Sequence, residues 1–331
     1  MGSSPYQCCH CVLCCSLVIG MGNVSLFVVF LSIIFSHNIS RFCGYALNQG
    51  NIYGAFLGDE VGQNSTCLDG SLFKITNKSC VVQQSYDRDA TQLDTGAIVT
   101  FLAGHAMDSQ NYYGVEVTSD VYGFPINEQE AESGIIVHVS SGKGSSRNAI
   151  DVGWHVNPGL YGDFKTHFYV HWTGTGCFNL DCPGYVPDEG TVRPGATIDA
   201  VSDPNGVKRT IIFKLFKDST GDWLLHIGFD SEPYLLGRFP KNLFTTLGDK
   251  ADTIALSGYV VTHTTNLIPM GSGFLSENAK AASFSNIQII DQNGQASKIT
   301  QDQPAIVEDK KLYSVSPINA EGMFTYGGPA Q

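Results

Sequence analysis

The chain has little charge, and most of that charge is negative. Only 15% of its 331 residues are charged, and the formal net charge is −12. Lysine and arginine never form a run longer than two residues, so the electrostatic attraction that holds proteins on a phosphate backbone is missing. The composition argues against a nucleic-acid partner. It is instead rich in glycine, tyrosine and phenylalanine, with 36, 14 and 19 residues, which is typical of a β protein with many tight turns.

Long helical patterns are also missing. No window of helical periodicity extends beyond about two turns, although residues 240–247 predict one short helix. From about Ile98 onward, short segments alternate with a period of two, as strands with one buried face do. The clearest hairpin spans residues 210–229, around a turn at 218–222. Many short strands at regular spacing predict an all-β sandwich or barrel.

The N-terminal region lacks positive charge before its apolar segment. Residues 24–35 form an apolar run with the length of a signal-peptide core, whereas a bilayer span needs roughly 20 residues. The leader begins at Met1 or Met21, and counting from Cys8 gives a stretch long enough for a signal anchor. We expect a leader over residues 1–44 and a secreted protein, with membrane anchoring through residues near 8–35 as the alternative.

Cysteines are confined to a few places. Five crowd residues 8–15 without the separated second pair that a zinc site needs, so no metal site is predicted. The spacing of Cys177 and Cys182 predicts a small disulfide loop, and Cys67 and Cys80 predict a second one. Glycosylation sequons at Asn64 and Asn77 agree with secretion.

Familiar catalytic motifs are scarce. No G-x-S-x-G segment occurs. His167 and His171 share a strand face but lie about 13 Å apart, too far for one metal ion. No cofactor is therefore expected. Residues 45–96 show little periodicity and predict a short pro-region, followed by a β domain over residues 97–331.

The most specific pattern starts with Gly153-Trp154-His155-Val156-Asn157-Pro158 and continues through a strand at 166–173 to the Cys177 and Cys182 loop. Further motifs follow in order at 251–253, 270–273, 282–288 and 321–329. This succession resembles the neprosin family, plant secreted proteins whose founding member is a glutamic endopeptidase that cuts beside proline. The resemblance implies a β-sandwich of two large antiparallel sheets, with an active cleft on a concave face.

The resemblance also implies a catalytic pair of carboxylates, one acting as base and the other as acid. The first position is occupied by Asp151, where the active enzyme has glutamate. The second falls on Ala255 or Tyr259, and neither bears a carboxylate. The sequence therefore predicts a degenerate or weak glutamic endopeptidase acting near proline. In the purely structural alternative, Asp151 hydrogen-bonds to nearby backbone or to Asn148.

Other residues are also assigned to the cleft. We expect Trp154 near the cleft, together with His155 beside it. Glu232 or Asp230, on the strand that leaves the Trp223 hairpin, substitutes by geometry for the missing carboxylate. The alternative function is a non-catalytic secreted binding module for a peptide, including Pro-rich ones, or a glycan. In that interpretation, aromatic side chains line a groove: Trp154, Tyr161, Trp172, Tyr185 and Trp223.

Overall fold

A computed structural model describes residues 98–126, 131–173, 178–263, 267–307 and 309–329. The predicted leader, pro-region, sequons Asn64 and Asn77, and Cys67, Cys80 and Cys177 lie outside these residues. The short helices in the described part of the chain include none with the length and apolar character of a bilayer-spanning segment.

The described residues contain fifteen strands, one α-helix and two 3-10 turns. The strands are β1 (Ile98–Tyr112), β2 (Gly114–Asp120), β3 (Glu132–Ser141), β4 (Asn148–Val156), β5 (Thr166–Trp172), β6 (Val186–Pro187), β7 (Thr210–Lys217), β8 (Trp223–Phe229), β9 (Tyr234–Phe239), β10 (Ala251–His263), β11 (Ala282–Ile290), β12 (Ala296–Lys298), β13 (Ala305–Val307), β14 (Ser314–Val315) and β15 (Phe324–Gly327). Helix α1 (Pro158–Tyr161) follows β4, and the 3-10 turns are Gly144–Ser146 and Lys241–Leu243.

The strands form two sheets. One has six strands in the order β13-β1-β10-β3-β4-β5. The other has nine, in the order β14-β15-β11-β2-β7-β8-β9-β6, with β12 added beside β11. Neighbouring strands pair antiparallel throughout the described residues. The predicted antiparallel two-sheet sandwich is confirmed, and the hairpin at 210–229 is β7–β8. The helix predicted at 240–247 is wrong, because only the 3-10 turn Lys241–Leu243 forms there.

Alternate residues of each strand build the core between the sheets. On β4 these are Ile150, Val152 and Trp154, which pack in one cluster with side chains of the nine-stranded sheet such as Phe213. We call this the inner face of the six-stranded sheet, and the opposite face, which carries Asp151, the outer face. Because side chains alternate along a strand, every strand of this sheet contributes to both faces.

Candidate active site

Strand register aligns the polar side chains of the outer face in two rows. In the first row, His138 of β3 lies opposite Asp151 of β4, which lies opposite His171 of β5. In the second row, His155 of β4 lies between Gly134 of β3 and His167 of β5. The two rows are four residues apart along β4, or about 13 Å.

The two candidate positions for the second carboxylate fall in different rows. Ala255 of β10 pairs with His138 and extends the first row, whereas Tyr259 pairs with Gly134 and extends the second. Ala255 is thus two strand spacings from Asp151, about 10 Å between backbones, with His138 in between. The register therefore aligns Ala255 with Asp151, a relation that the sequence leaves open.

Both oxygens of the Asp151 carboxylate are held by histidines. The side chain is fully buried. Its Oδ1 lies 2.6 Å from Nδ1 of His138 and its Oδ2 lies 3.2 Å from Nδ1 of His171. Burial raises the pKa of Asp151, but its interactions with His138 and then His171 more than offset this, and the net pKa is lowered. Asp151 is therefore an ionised carboxylate inside the protein.

An arginine determines which nitrogen of His138 bears the proton. Nη2 of Arg147 lies 3.2 Å from Nε2 of His138 and donates to Oγ of Ser140 at 2.9 Å. A guanidinium only donates hydrogen bonds, so Nε2 of His138 accepts. The proton of His138 is therefore on Nδ1 and points at Asp151. The first row is a hydrogen-bonded chain that runs Arg147–His138–Asp151–His171.

Asn148 is not the partner of Asp151, so that part of the structural alternative is wrong. Its Oδ1 accepts hydrogen bonds from the backbone N–H groups of Thr245 and Thr246, at 2.7 and 2.8 Å. These contacts anchor the loop before β10. The histidine partners were not predicted, because they come from neighbouring strands.

His155 is the centre of the second row. Its Nδ1 lies 3.0 Å from the hydroxyl of Tyr259, and its Nε2 lies 2.9 Å from the hydroxyl of Tyr161. Burial, together with the nearby His167, lowers the pKa of His155 to about 3. The imidazole is therefore neutral. Since a neutral imidazole has one N–H and one lone pair, one tyrosine accepts from it and the other donates to it.

Glu132 is a second buried carboxyl on the outer face that the sequence analysis missed. Its Oε2 lies 3.9 Å from Nδ1 of His155 and accepts a hydrogen bond from Nδ2 of Asn157. Burial raises the pKa of Glu132 to about 8, against the opposing effect of that hydrogen bond. Glu132 and His138 are six residues apart on β3. Because side chains alternate along a strand, an even separation places both on the outer face.

Glu132 and Asp151 do not form a catalytic pair across one peptide bond. The partner of Asp151 on β3 is His138, six residues from Glu132, so the two carboxyls belong to positions about 20 Å apart along the strands. A water molecule fits between two carboxyls that are at most about 10 Å apart. The lowered pKa of Asp151 and the raised pKa of Glu132 therefore belong to two separate places on the outer face.

The segment after β5 packs over the outer face. The ring of Phe178 lies 4.9 Å from that of His171 and 6.0 Å from that of His155. Nδ2 of Asn179 donates to the hydroxyl of Tyr161 at 3.1 Å. A surface pocket of about 240 Å³ opens beside Tyr161 and Asn179, and its other lining residues are Leu160, Leu180, Asp181, Pro194 and Gly195.

Cys182 follows in the same segment and is disulfide-bonded. Every other cysteine of the chain lies outside the described residues. Its pairing with Cys177 therefore stays a prediction.

Two predicted cleft residues lie away from the outer face. Trp154 points to the inner face, where it is 1% exposed and its indole N–H donates to the carbonyl of Asp120. Glu232 is exposed in the loop between β8 and β9, in the other sheet, so it lies in neither polar row of the outer face. Trp172, Trp223 and Tyr185 are buried in the core as well, which removes them from any groove.

A glycine of the Gly153-Trp154 motif explains how the rings fit on the outer face. A Cβ at Gly153 would lie 2.1 Å from the carbonyl oxygen of Ile135 and 3.0 Å from Cε1 of Tyr169. The ring of Tyr169 instead packs at 4.3 Å against that of His155. Within the described residues, no group of three or more histidine, cysteine, aspartate or glutamate side chains has the arrangement of a metal site.

Comparison with known proteins identifies the family. The sequence profile of the Neprosin family matches residues 129–329, which include both polar rows and the loop after β5. The chain belongs to the Neprosin family.

Solved structures of other proteins are similar to this neprosin-family chain at a low level. Scytalido-glutamic peptidase with a peptide-based transition-state analogue has 8% identity and a TM-score of 0.39, over 70% of this chain and 99% of that one. SCP-B, a member of the Eqolisin family of peptidases bound to the tripeptide Ala-Ile-His, has 8% identity and a TM-score of 0.37, with the same coverage. The alginate lyase Aly36B has 12% identity and a TM-score of 0.28, over 50% of this chain and 76% of that one.

Proposed function

We propose that this neprosin-family chain is a degenerate glutamic peptidase with little or no endopeptidase activity beside proline. The observation that supports this most is the first row. Asp151, at the first carboxylate position, is ionised and bound on both oxygens by His138 and His171, while the position in line with it is the methyl group of Ala255.

Peptide hydrolysis by this route needs a base for the attacking water and an acid for the departing amine, each worth roughly a hundred- to ten-thousandfold in rate. The lowered pKa of Asp151 makes it a weak base. No carboxyl stands at Ala255 or Tyr259 to supply the proton, and the hydroxyl of Tyr259 is engaged with His155. Both the general-base step and the general-acid step of peptide hydrolysis are therefore weakened.

Rebuilding the pair tests this proposal. A Pro-rich peptide is incubated at acid pH with the full chain and with five variants, and the products are measured by mass spectrometry. Three variants are the single changes Asp151→Glu, Ala255→Glu and Tyr259→Glu. The other two combine Asp151→Glu with Ala255→Glu or with Tyr259→Glu. We expect no cleavage by the unmodified chain and a gain of at least about tenfold in Asp151→Glu with Ala255→Glu, which share one row. Circular dichroism identifies variants that do not fold, since Ala255 is fully buried. Efficient cleavage by the unmodified chain contradicts the proposal.

A binding module for a peptide or a glycan is the second candidate, and the pocket beside Tyr161 and Asn179 favours it. If this pocket binds a ligand here, titration with proline-containing peptides or oligosaccharides gives saturable binding that Tyr161→Ala weakens at least about tenfold. Binding unaffected by that change excludes this pocket.

We also propose that the protein is secreted. The apolar run at 24–35 and the disulfide at Cys182 support an oxidising, extracellular location. Expression in a secretory host tests this, because glycosidase treatment then shifts the mobility of protein in the medium. Retention in the membrane fraction supports the signal-anchor alternative instead.

A further inference from the structure

Two buried histidines of the six-stranded sheet face hydrogen-bond acceptors at both ring nitrogens. His105 of β1 has the carbonyl oxygen of Gln303 at 2.8 Å from Nδ1 and that of Ser316 at 2.8 Å from Nε2. His167 of β5 has the carbonyl oxygen of Gly195 at 2.8 Å from Nδ1 and Oδ1 of Asp163 at 2.9 Å from Nε2.

These contacts require the protonated form of both rings. A neutral imidazole has one N–H and one lone pair, whereas a carbonyl or an ionised carboxylate can only accept. If the ring were neutral, the lone pair of its unprotonated nitrogen would face an acceptor oxygen in one of the two short contacts. Only the imidazolium ion donates at both nitrogens. His138 differs, because Arg147 donates to its Nε2.

The groups around His167 agree with a positive charge. The ring of Tyr161 stacks on it at 3.7 Å and 7°, as a cation–π partner does. Partial burial raises the pKa of Asp163, but the hydrogen bonds from His167 and from the backbone of Lys165, with the charges of both residues, lower it overall. Asp163 is therefore ionised. The opposing neighbour, His155, is neutral.

The groups around His105 also suit a cation. The carboxylate of Asp302 lies 3.9 Å from Nδ1, and the ring of Phe324 packs edge-on at 4.7 Å. Asp302 is also fixed in place, since its Oδ1 accepts from the backbone of Ile318 at 3.0 Å. Asp302 is the only ionisable group paired with His105 in the part of the chain that the structure describes.

We propose that His105 and His167 are protonation-dependent clamps at the two sides of the six-stranded sheet. His105 fastens the segment from Gln303 to Ser316, which includes the edge strand β13, to β1. His167 fastens Gly195, which lies beside the edge strand β5. Deprotonation removes one of the two N–H donors of each ring, so both segments loosen as the pH rises. The inference is independent of any peptidase activity.

The His167 clamp also shapes the pocket beside Tyr161 and Asn179. Gly195 and Tyr161 both line that pocket, and both contact His167. A protonated His167 therefore holds two of its walls. The pocket has the shape described above at acid pH and a looser wall once His167 is neutral.

The sign of the effect on stability follows from linkage. A proton that is held by the folded state adds stability at acid pH, and this stability is lost as the pH rises. The contribution of the two clamps therefore decreases as the pH rises, in the direction opposite to that of a buried ionised carboxylate.

The direct test is nitrogen-15 NMR of the full chain labelled in histidine, which distinguishes the imidazolium from either neutral tautomer. At pH 5 we expect imidazolium signals that disappear in His105→Gln and His167→Gln, because glutamine cannot donate to two opposed acceptors. The matched control is His226→Gln on β8, whose ring is partly exposed and has no hydrogen-bond partner at Nδ1 among the described residues. Neutral tautomers at both clamps at pH 5 overturn the proposal.

Urea unfolding of the same proteins gives a second measurement. We expect each clamp variant to reduce the folding equilibrium constant at least about tenfold more at pH 5 than at pH 8, and the control to show no such difference. Equal losses at the two pH values contradict the proposal. If a clamp variant does not fold, the spectrum of the unmodified chain still decides the outcome.

Discussion

The two sides of strand β4 in the six-stranded sheet are buried to the same extent but by different chemistry. Along β4, Ile150 and Val152 point inward and Asp151 and His155 point outward, and all four are fully buried. On its inner side, β4 is stabilised by the removal of apolar area from water. On its outer side, it is stabilised only if every donor meets an acceptor. The inner side of β4 is therefore expected to be insensitive to pH, and its outer side to depend on it. His105 of β1 is a polar exception on the inner face, where it pairs with Leu256 of the core.

The largest effect is expected on the inner face. Trp154→Ala removes a fully packed indole and its hydrogen bond to the carbonyl of Asp120, and we expect a loss of about 3–5 kcal/mol in the free energy of unfolding. Urea unfolding at pH 5 and pH 7 should give the same loss. A loss that changes strongly between these pH values would break the contrast between the faces.

On the outer face, His138→Ala leaves Asp151 buried with one of its two histidine partners. We expect a loss of about 3 kcal/mol at pH 7. Because the folded pKa of Asp151 is lowered, the stability due to its ionised form is present above the unfolded value of roughly 3.9 and is lost as the pH falls through the folded pKa. The loss in the variant should therefore shrink at pH 3. His226→Ala serves as the control, and a pH-independent loss would count against the ionised Asp151.

Glu132→Gln tests the other buried carboxyl. The pKa of Glu132 is raised to about 8, so the folded state binds the proton more tightly than the unfolded state. Stability due to this group is then lost as the pH rises from about 4.3 towards 8, with a slope of at most about 1.4 kcal/mol per pH unit. Glutamine resembles the protonated form and lacks this slope. The variant should therefore gain stability relative to the unmodified chain at pH 8 compared with pH 5, and parallel curves would show that Glu132 is ionised.

The smallest effect is expected for Glu232→Gln. This side chain is exposed in the loop between β8 and β9, and surface changes usually stay within about 0.5 kcal/mol. Peptide cleavage and the pH dependence of unfolding should be unchanged. A change in either would connect the nine-stranded sheet to the outer face of the six-stranded one.

Local sequence patterns predict the strands well, because burial of alternate side chains leaves a period of two. The same rule places Trp154 and Asp151 on opposite faces, since they are three residues apart on one strand. The expectation that Trp154 lies near the cleft overlooked this. The alternation of side chains along β4 is enough to place Trp154 in the core.

The composition of the polar rows was not predictable from local patterns. His138 meets Asp151 through the pairing of β3 with β4, and Ala255 joins their row through β10. These registers depend on contacts between distant parts of the chain. The same limit explains why Glu232 was expected at the cleft. The alternating pattern of a hairpin does not indicate to which of the two sheets the hairpin belongs. Glu132 was missed because no motif surrounds it.

We propose that Asp151 is held as an ion inside the protein and does not perform peptide hydrolysis. The most direct measurement compares the full chain with Asp151→Ala for cleavage of a proline-containing peptide between pH 3 and pH 7, with folding of both confirmed by circular dichroism. We expect the same background rate for the two proteins at every pH. Cleavage by the unmodified chain that Asp151→Ala abolishes would contradict it.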